Sequence, residues 1–196
     1  MIHACSMTST SSPYRIIAVC TGNICRSPMA ELMLAEAFRA EHLSGAVVDS
    51  AGTTAYEAGR PIDPRAARKL TAQNIASDRH VAREWRPEWF ATRELILALD
   101  VDHYGWLRQA APDQESLAKI RMLRSFDPAV ADEDPLEQGI EDPWYGGHTD
   151  FDTTWNLIRA SLPGVVQHVR TELERQDGQH HGSDQPNAQQ PVRSIS

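Results

Sequence analysis

Cysteine is scarce in this chain: the three present stand at positions 5, 20 and 25, and nothing beyond Cys25 carries a thiol. That distribution excludes a secreted disulfide framework, which needs paired cysteines spread along a small domain. No apolar run approaches the roughly 20 residues that a membrane-spanning helix requires. There is no basic run either, and 19 Lys and Arg against 27 Asp and Glu leave a formal charge of −8. Nucleic acid and anionic membrane are therefore not expected partners. The opening MIHACSMTSTSSP lacks the basic start and apolar core of a secretory signal. The cytoplasm is the expected address, with export by a route lacking such a signal left open. No Gly-x-x-x-x-Gly-Lys occurs, which removes a nucleotide-binding P-loop. No internal repeat is present.

What remains suits one α/β domain with tails, since 196 residues at 41% hydrophobic content supply an adequate core. Residues 1–13 are small and polar and are expected to form a disordered leader, within which Met7 offers a second start. The folded domain is expected over residues 14–175. Residues 176–196, rich in Gln, His, Asp and Pro, are expected to form a disordered tail. His180-His181 in that tail reads as a solvated polar pair rather than a metal site, and no metal or organic cofactor is expected.

Strands are expected near Tyr14–Cys20, at Ala46–Val48 leading into Ser50–Thr53, at Glu94–Leu99 and at Lys119–Leu123. Helices alternate with them. Met29, Leu32, Met33, Ala37 and Phe38 mark the apolar stripe of the first, and Asp63-Pro64 an N-cap and first position of the next. A last helix is expected over Phe151–Leu173, kinked or split by Pro163. This alternation implies a four-stranded parallel sheet flanked by helices on both faces.

The chemistry concentrates in Cys20-Thr21-Gly22-Asn23-Ile24-Cys25-Arg26-Ser27-Pro28, a loop between the first strand and the first helix. A cysteine closing a buried strand is commonly just a small core residue. Here, however, five residues separate it from an arginine and then a hydroxyl. A thiol at a helix N-terminus beside Arg26 favours its thiolate. Loop N–H groups converge on an anion, and a guanidinium grips phosphate oxygens bidentately. Gly22 and Asn23 tolerate the left-handed backbone that such a curl requires. Ser27 suits the N-cap and Pro28 the first helical position, and Ser27 can also hydrogen-bond the thiolate. The combination fits phosphoryl transfer to cysteine.

Displacement of a phenolate or alkoxide needs a proton donor at the leaving oxygen. Three Asp-Pro pairs lie in the later half of the chain, at Asp127, Asp134 and Asp142, and each has a plain turn-forming alternative. Only Asp142 fits well, with paired aromatics following it in Glu141-Asp142-Pro143-Trp144-Tyr145-Gly146-Gly147. Trp144 and Tyr145 are candidate walls for an aromatic substrate. Asp100, at the carboxyl end of the third strand, should border the same face in a hydrogen-bonding role.

The stretch Cys20 to Glu31, CTGNICRSPMAE, resembles the signature of low-molecular-weight protein tyrosine phosphatases, particularly the actinobacterial type. The resemblance spans about Arg15 to Arg175. It implies Cys20 as nucleophile, Arg26 and the loop residues Thr21 to Ser27 as phosphate site, and Asp142 as general acid. It also implies Tyr56 as a cleft aromatic, and His80 as a brace for the loop through Asn23 and Ser27. Trp144 replaces the first tyrosine of the family's Asp-Pro-Tyr-Tyr-Gly motif, which keeps a wall and removes a hydroxyl. Cys25 is either packing or a partner that captures oxidised Cys20, and the resemblance favours redox protection. The implied partners are phosphotyrosine-containing proteins, met by a monomer that phosphate-like oxyanions inhibit. Arsenate reductases share the loop but relay electrons through downstream cysteines that are missing here. Protein-arginine phosphatases carry threonine where Ile24 stands and lack the paired aromatics. A non-catalytic phosphoprotein binder would have no need of Cys20, Ser27 and Asp142 together.

Overall fold

The computed structural model describes residues 12–182, and side chains to residue 178. The leader expected over residues 1–13, including Cys5, lies almost wholly outside these residues, as do residues 183–196 and the side chains of His180 and His181. Strand β1 (Tyr14–Cys20) leads through the cysteine loop into helix α1 (Arg26–Ala40), followed by β2 (Ala46–Gly52) and α2 (Pro64–Thr71). Short helix α3 (Trp89–Thr92) precedes β3 (Leu95–Ala98). Then come α4 (Val101–Ala110), α5 (Gln114–Ala118), β4 (Ile120–Met122) and the long α6 (His148–Gly182).

All strand pairs are parallel, in the order β2-β1-β3-β4. The side-chain alternation of a strand divides β1 between two cores. Ile16, Ala18 and Cys20 face α1, α2 and α6 with Met29, Leu34, Leu70, Phe151 and Ile158. Ile17 and Val19 face Leu107 of α4, Phe90 of α3 and Trp85. With helices on both faces, the central strands β1 and β3 are almost wholly buried and read as nearly unbroken apolar runs, while the start of the edge strand β2 is half-exposed. The expected architecture holds.

Several local expectations do not. Helix α1 buries the expected Met29, Met33 and Phe38 and adds Leu34, while the expected Leu32 and Ala37 are only partly covered. Helix α1 also begins at Arg26 with Cys25 as N-cap, not Ser27, and no side chain caps it. Ser27 is fully buried and its hydroxyl is engaged elsewhere, as described below. Pro28 still falls in the first turn, where its missing N–H costs nothing.

Pro163 does not split α6, which runs unbroken from His148 to Gly182. Pro163 and Arg159, whose carbonyl loses its partner, both lie on the exposed face, where water takes the hydrogen bond. The neighbouring Gly164 permits close packing: a Cβ there would stand 2.3 Å from the Phe126 carbonyl oxygen. The same helix makes residues 176–182 helical where their composition suggests a disordered tail. Preceding turns of an already docked helix extend it at little nucleation cost.

Candidate active site

The carboxyl ends of β1 and β3 meet one cleft. It is lined by Cys20, Thr21, Gly22, Ile24, Cys25 and Arg26 on one wall and by Thr54, Tyr56, Glu57, Asp142, Trp144 and Tyr145 on the other. Of the residues singled out from the sequence, Asn23, Ser27, His80 and Asp100 stand behind the wall instead of in it.

The loop is held from outside through its carbonyls. The Cys20 carbonyl accepts from Thr53 N–H at 2.8 Å, that of Thr21 from Thr54 N–H at 3.1 Å, and that of Ile24 from Asp63 N–H at 2.8 Å. The Asn23 carbonyl accepts from His80 Nε2 at 2.7 Å. A trans peptide sets its C=O and the next N–H in opposite directions. The N–H groups of Thr21, Gly22, Ile24 and Cys25 therefore point away from these partners, the arrangement of an anion nest.

Asn23 is the hinge of the curl. It alone of the expected pair takes a left-handed backbone, with φ of 58°, while Gly22 does not. Its amide donates to Ser27 Oγ at 2.9 Å and Ser50 Oγ at 2.8 Å, and its Oδ1 accepts from Arg83 N–H at 3.0 Å. Ser27 Oγ lies 3.0 Å from Cys20 Sγ. Behind this, Ser50 donates to Glu31, which faces His80 Nδ1 at 3.9 Å. Burial pushes the Glu31 carboxyl up, offset in part by the Ser50 hydrogen bond and the His80 charge. Gly52, at the end of β2, lets that strand pass beneath the loop: a Cβ would sit 2.6 Å from the Thr21 carbonyl oxygen.

Arg26 is 3% exposed and so must be paired. Nη1 donates to Asp100 Oδ2 at 2.5 Å and to the Ile140 carbonyl at 3.0 Å, and Nη2 to Asp142 Oδ2 at 2.8 Å. Asp100 also caps α4, accepting from His103 N–H at 2.9 Å, and its Oδ1 lies 2.8 Å from His103 Nδ1. Burial opposes its charge, but the His103 hydrogen bonds and charge, with Arg26, outweigh burial and hold the carboxyl well below the usual range. The other His103 nitrogen, Nε2, lies 2.9 Å from Thr21 Oγ1.

Asp142 opens a 3-10 turn over Pro143–Tyr145, its Oδ1 accepting from Trp144 N–H at 3.1 Å. Its side chain is 37% exposed, and Tyr145 and Tyr56 are 93% and 87% exposed at the mouth. The other Asp-Pro pairs take the turn-forming role: Asp127 pairs with Arg124 and accepts from Ala129 N–H, and Asp134 accepts from Leu136 N–H. Cys25 is buried and unpaired, and burial pushes its thiol well above the ordinary cysteine range.

Sequence reasoning missed His103, Ser50, Glu31 and Arg65. His103 had a signal, since Asp100-x-x-His103 is an N-cap spacing. Arg65 had a weaker one, two residues after Asp63. Ser50 and Glu31 had none, because their partners come from other elements.

The description "Low molecular weight phosphotyrosine protein phosphatase" belongs to the family model that matches residues 15–176. The low molecular weight protein-tyrosine-phosphatase of Streptomyces coelicolor is 40% identical over 162 residues, covering 82% of this chain and 96% of that protein. A solved protein tyrosine phosphatase of Entamoeba histolytica, with Hepes in its active site, superposes with a TM-score of 0.72. It is 27% identical and covers 81% of this chain and 97% of that one. The Drosophila arginine phosphatase superposes with a TM-score of 0.70 at 27% identity, covering 78% and 96%. The chain belongs to the low molecular weight phosphotyrosine protein phosphatase family and is a protein-tyrosine phosphatase, a phosphoric monoester hydrolase.

Proposed function

We propose that Cys20 is the nucleophile of phosphotyrosine hydrolysis, Arg26 with the loop N–H groups the phosphate clamp, and Asp142 the general acid and base. The observation that carries this reading is the convergence of Cys20, Arg26 and Asp142 on one cleft, with Asp142 bonded to the clamp arginine at 2.8 Å.

Cys20 Sγ attacks phosphorus in line with the leaving tyrosine oxygen, and the transferring group's charge rests on Arg26 and the nest. Ser27 Oγ, 3.0 Å from Sγ, supports the negative sulfur by hydrogen bonding. The incoming phosphate replaces Asp142 on Arg26 Nη2, so the same event that fills the clamp releases the acid. Once off the guanidinium, the Asp142 carboxylate takes up a proton from solvent and delivers it to the leaving oxygen as the P–O bond breaks and the phosphocysteine forms. Asp142 then takes the proton of the water that hydrolyses the phosphocysteine. Asn23, Asp100 and His80 hold the loop and the arginine in place and transfer no proton. Ile24, Tyr56, Trp144 and Tyr145 form the apolar mouth that receives an aromatic ring. The enzyme acts as a cytoplasmic monomer and is inhibited by phosphate-like oxyanions.

Dephosphorylation of arginine is the second reading, supported by the likeness to the Drosophila arginine phosphatase. Ile24 and the Trp144-Tyr145 pair favour tyrosine. Phosphate release from matched phosphotyrosine, phosphoarginine and phosphoserine peptides, with Cys20→Ser as blank, tests the proposal. Turnover of phosphotyrosine alone, absent in Cys20→Ser, is expected. Preference for phosphoarginine would overturn the specificity and leave the mechanism. No turnover with phosphate still bound would make the protein a binder.

A further inference from the structure

Arg65 takes no part in the mechanism above, yet like Arg26 it spans the two walls of the cleft. Its backbone N–H and Nε donate to Asp63 Oδ1 at 2.7 and 3.1 Å, and Nη2 to Asp63 Oδ2 at 2.9 Å. Asp63 in turn donates its own N–H to the Ile24 carbonyl of the phosphate loop at 2.8 Å. The far side of the guanidinium faces the acid loop. Nη1 donates to the Trp144 and Gly146 carbonyls at 3.2 and 3.0 Å, and Nη2 to the Trp144 carbonyl at 3.2 Å. The guanidinium carbon sits 4.7 Å from the Phe151 ring centroid and 5.8 Å from that of Trp144. The planar fork thus runs from the nucleophile's loop, through Asp63, to the two carbonyls that follow Asp142.

Otherwise the acid loop is held by the buried Pro143 and by local hydrogen bonds, Gly146 N–H to the Pro143 carbonyl and Gly147 N–H to Asp150 Oδ2. Glu141, Asp142, Trp144, Tyr145 and Gly147 are all exposed. Asp142 is fastened to the opposite wall by Arg26, and on the proposed mechanism that bond gives way when phosphate binds. Arg65 keeps its contacts at that moment, because none of them involves the phosphate clamp.

We propose that Arg65 is a positioning residue for the general acid, fixing the loop that carries Asp142 at proton-transfer distance from the leaving oxygen once Arg26 has turned to phosphate. The inference rests on Asp142 being that acid. Lysine cannot replace it, since one ammonium does not reach a carboxylate and two carbonyls in a plane. The plain alternative is a staple between α2 and α6, which would lower stability and slow every substrate alike.

The test is the leaving-group dependence of kcat/KM, which reports only the steps through loss of the leaving group, in Arg65→Lys, Arg65→Gln and the milder Asp63→Asn, using aryl phosphates from phenyl to dinitrophenyl. Binding of inorganic phosphate serves as the check that the nucleophile loop is intact. For phenyl phosphate and phosphotyrosine peptide, kcat/KM is expected to fall about 10- to 100-fold, the scale of a misplaced acid. For dinitrophenyl phosphate, whose leaving group needs no proton, it should fall less than about 3-fold. In an Asp142→Ala background the Arg65 substitutions should add nothing. Equal losses for all leaving groups, or losses that multiply with that of Asp142→Ala, would overturn the proposal. If Asp142→Ala is leaving-group dependent and Arg65→Lys is not, only this inference fails. If Asp142→Ala is itself indifferent to leaving group, the acid assignment fails and Arg65 has nothing to position.

Discussion

The two walls of the cleft are built on opposite plans. The nucleophile wall is one contiguous stretch, buried from Asn23 through Ser27, with its carbonyls and the Asn23 amide each tied to a fixed partner. The acid wall is an exposed turn held by two arginines that belong to other elements, Arg26 and Arg65. The difference follows from what each must do. A nest for a phosphate works only if its dipoles are aimed before the ligand arrives, because reorienting them during the reaction would consume the stabilisation they offer. An acid over the leaving group must let a protein-borne side chain in and out, which a buried, fully bonded segment would not permit.

The comparison breaks most visibly at the acid. Asp142→Asn is expected to lower kcat for phosphotyrosine by about 10²- to 10⁴-fold with KM little changed, as steady-state kinetics would record. Because the acid wall contributes little to the fold, the same variant should melt near the wild-type temperature. A large loss of stability would mean that the exposed turn is part of the core after all.

The converse holds on the other wall. Asn23→Ala strands the Arg83 N–H and removes the donor to Ser27 and Ser50. Each buried group left without a partner costs about 1–3 kcal/mol, so urea unfolding should show a loss on that scale together with weaker phosphate binding. An unchanged midpoint would show that the loop does not depend on Asn23 for its shape.

The Arg26 platform adds a pH signature. Asp100 is held below its ordinary range in the folded protein, so its contribution is complete above the unfolded value of about 3.9 and is lost as the pH falls further. Below about pH 4, wild-type stability should therefore fall more steeply than that of Asp100→Asn, as melting curves across that range would record. Parallel curves would contradict the assignment.

The smallest effect separates the two cysteines. Burial keeps Cys25 in its thiol form at neutral pH. Brief treatment with iodoacetamide at pH 7 should therefore label Cys20, as peptide mass spectrometry would locate it, and leave Cys25 unmodified. Preferential labelling of Cys25 would reverse the assignment of the nucleophile.

The same contrast explains what the sequence disclosed. The nucleophile loop was legible because its chemistry is contiguous: thiol, arginine and hydroxyl stand within eight positions between a strand and a helix. The sheet was legible from the apolar runs at Ile16–Val19 and Leu95–Leu99, which parallel burial makes nearly continuous. Ser27 was misplaced as an N-cap because the helix starts two residues earlier than Pro28 suggests, with the Ser27 hydroxyl drawn to Cys20 instead. Pro163 misled because a rule about helix interiors says nothing of which face the proline occupies. Asp142 needed an argument from chemistry to be chosen among three Asp-Pro pairs. Arg65 and His103 act through partners from other elements, Trp144 and Thr21, and no local pattern announces such pairs.

The central claim is that the phosphoryl group passes through Cys20. The most direct measurement is to mix labelled phosphotyrosine peptide with Asp142→Ala enzyme, quench in acid within one turnover, and map the label by peptide mass spectrometry. The account predicts a phosphorylated peptide with the group on Cys20, and none in Cys20→Ser. Label on another residue, or phosphate release with no protein-bound phosphate at any time, would contradict it.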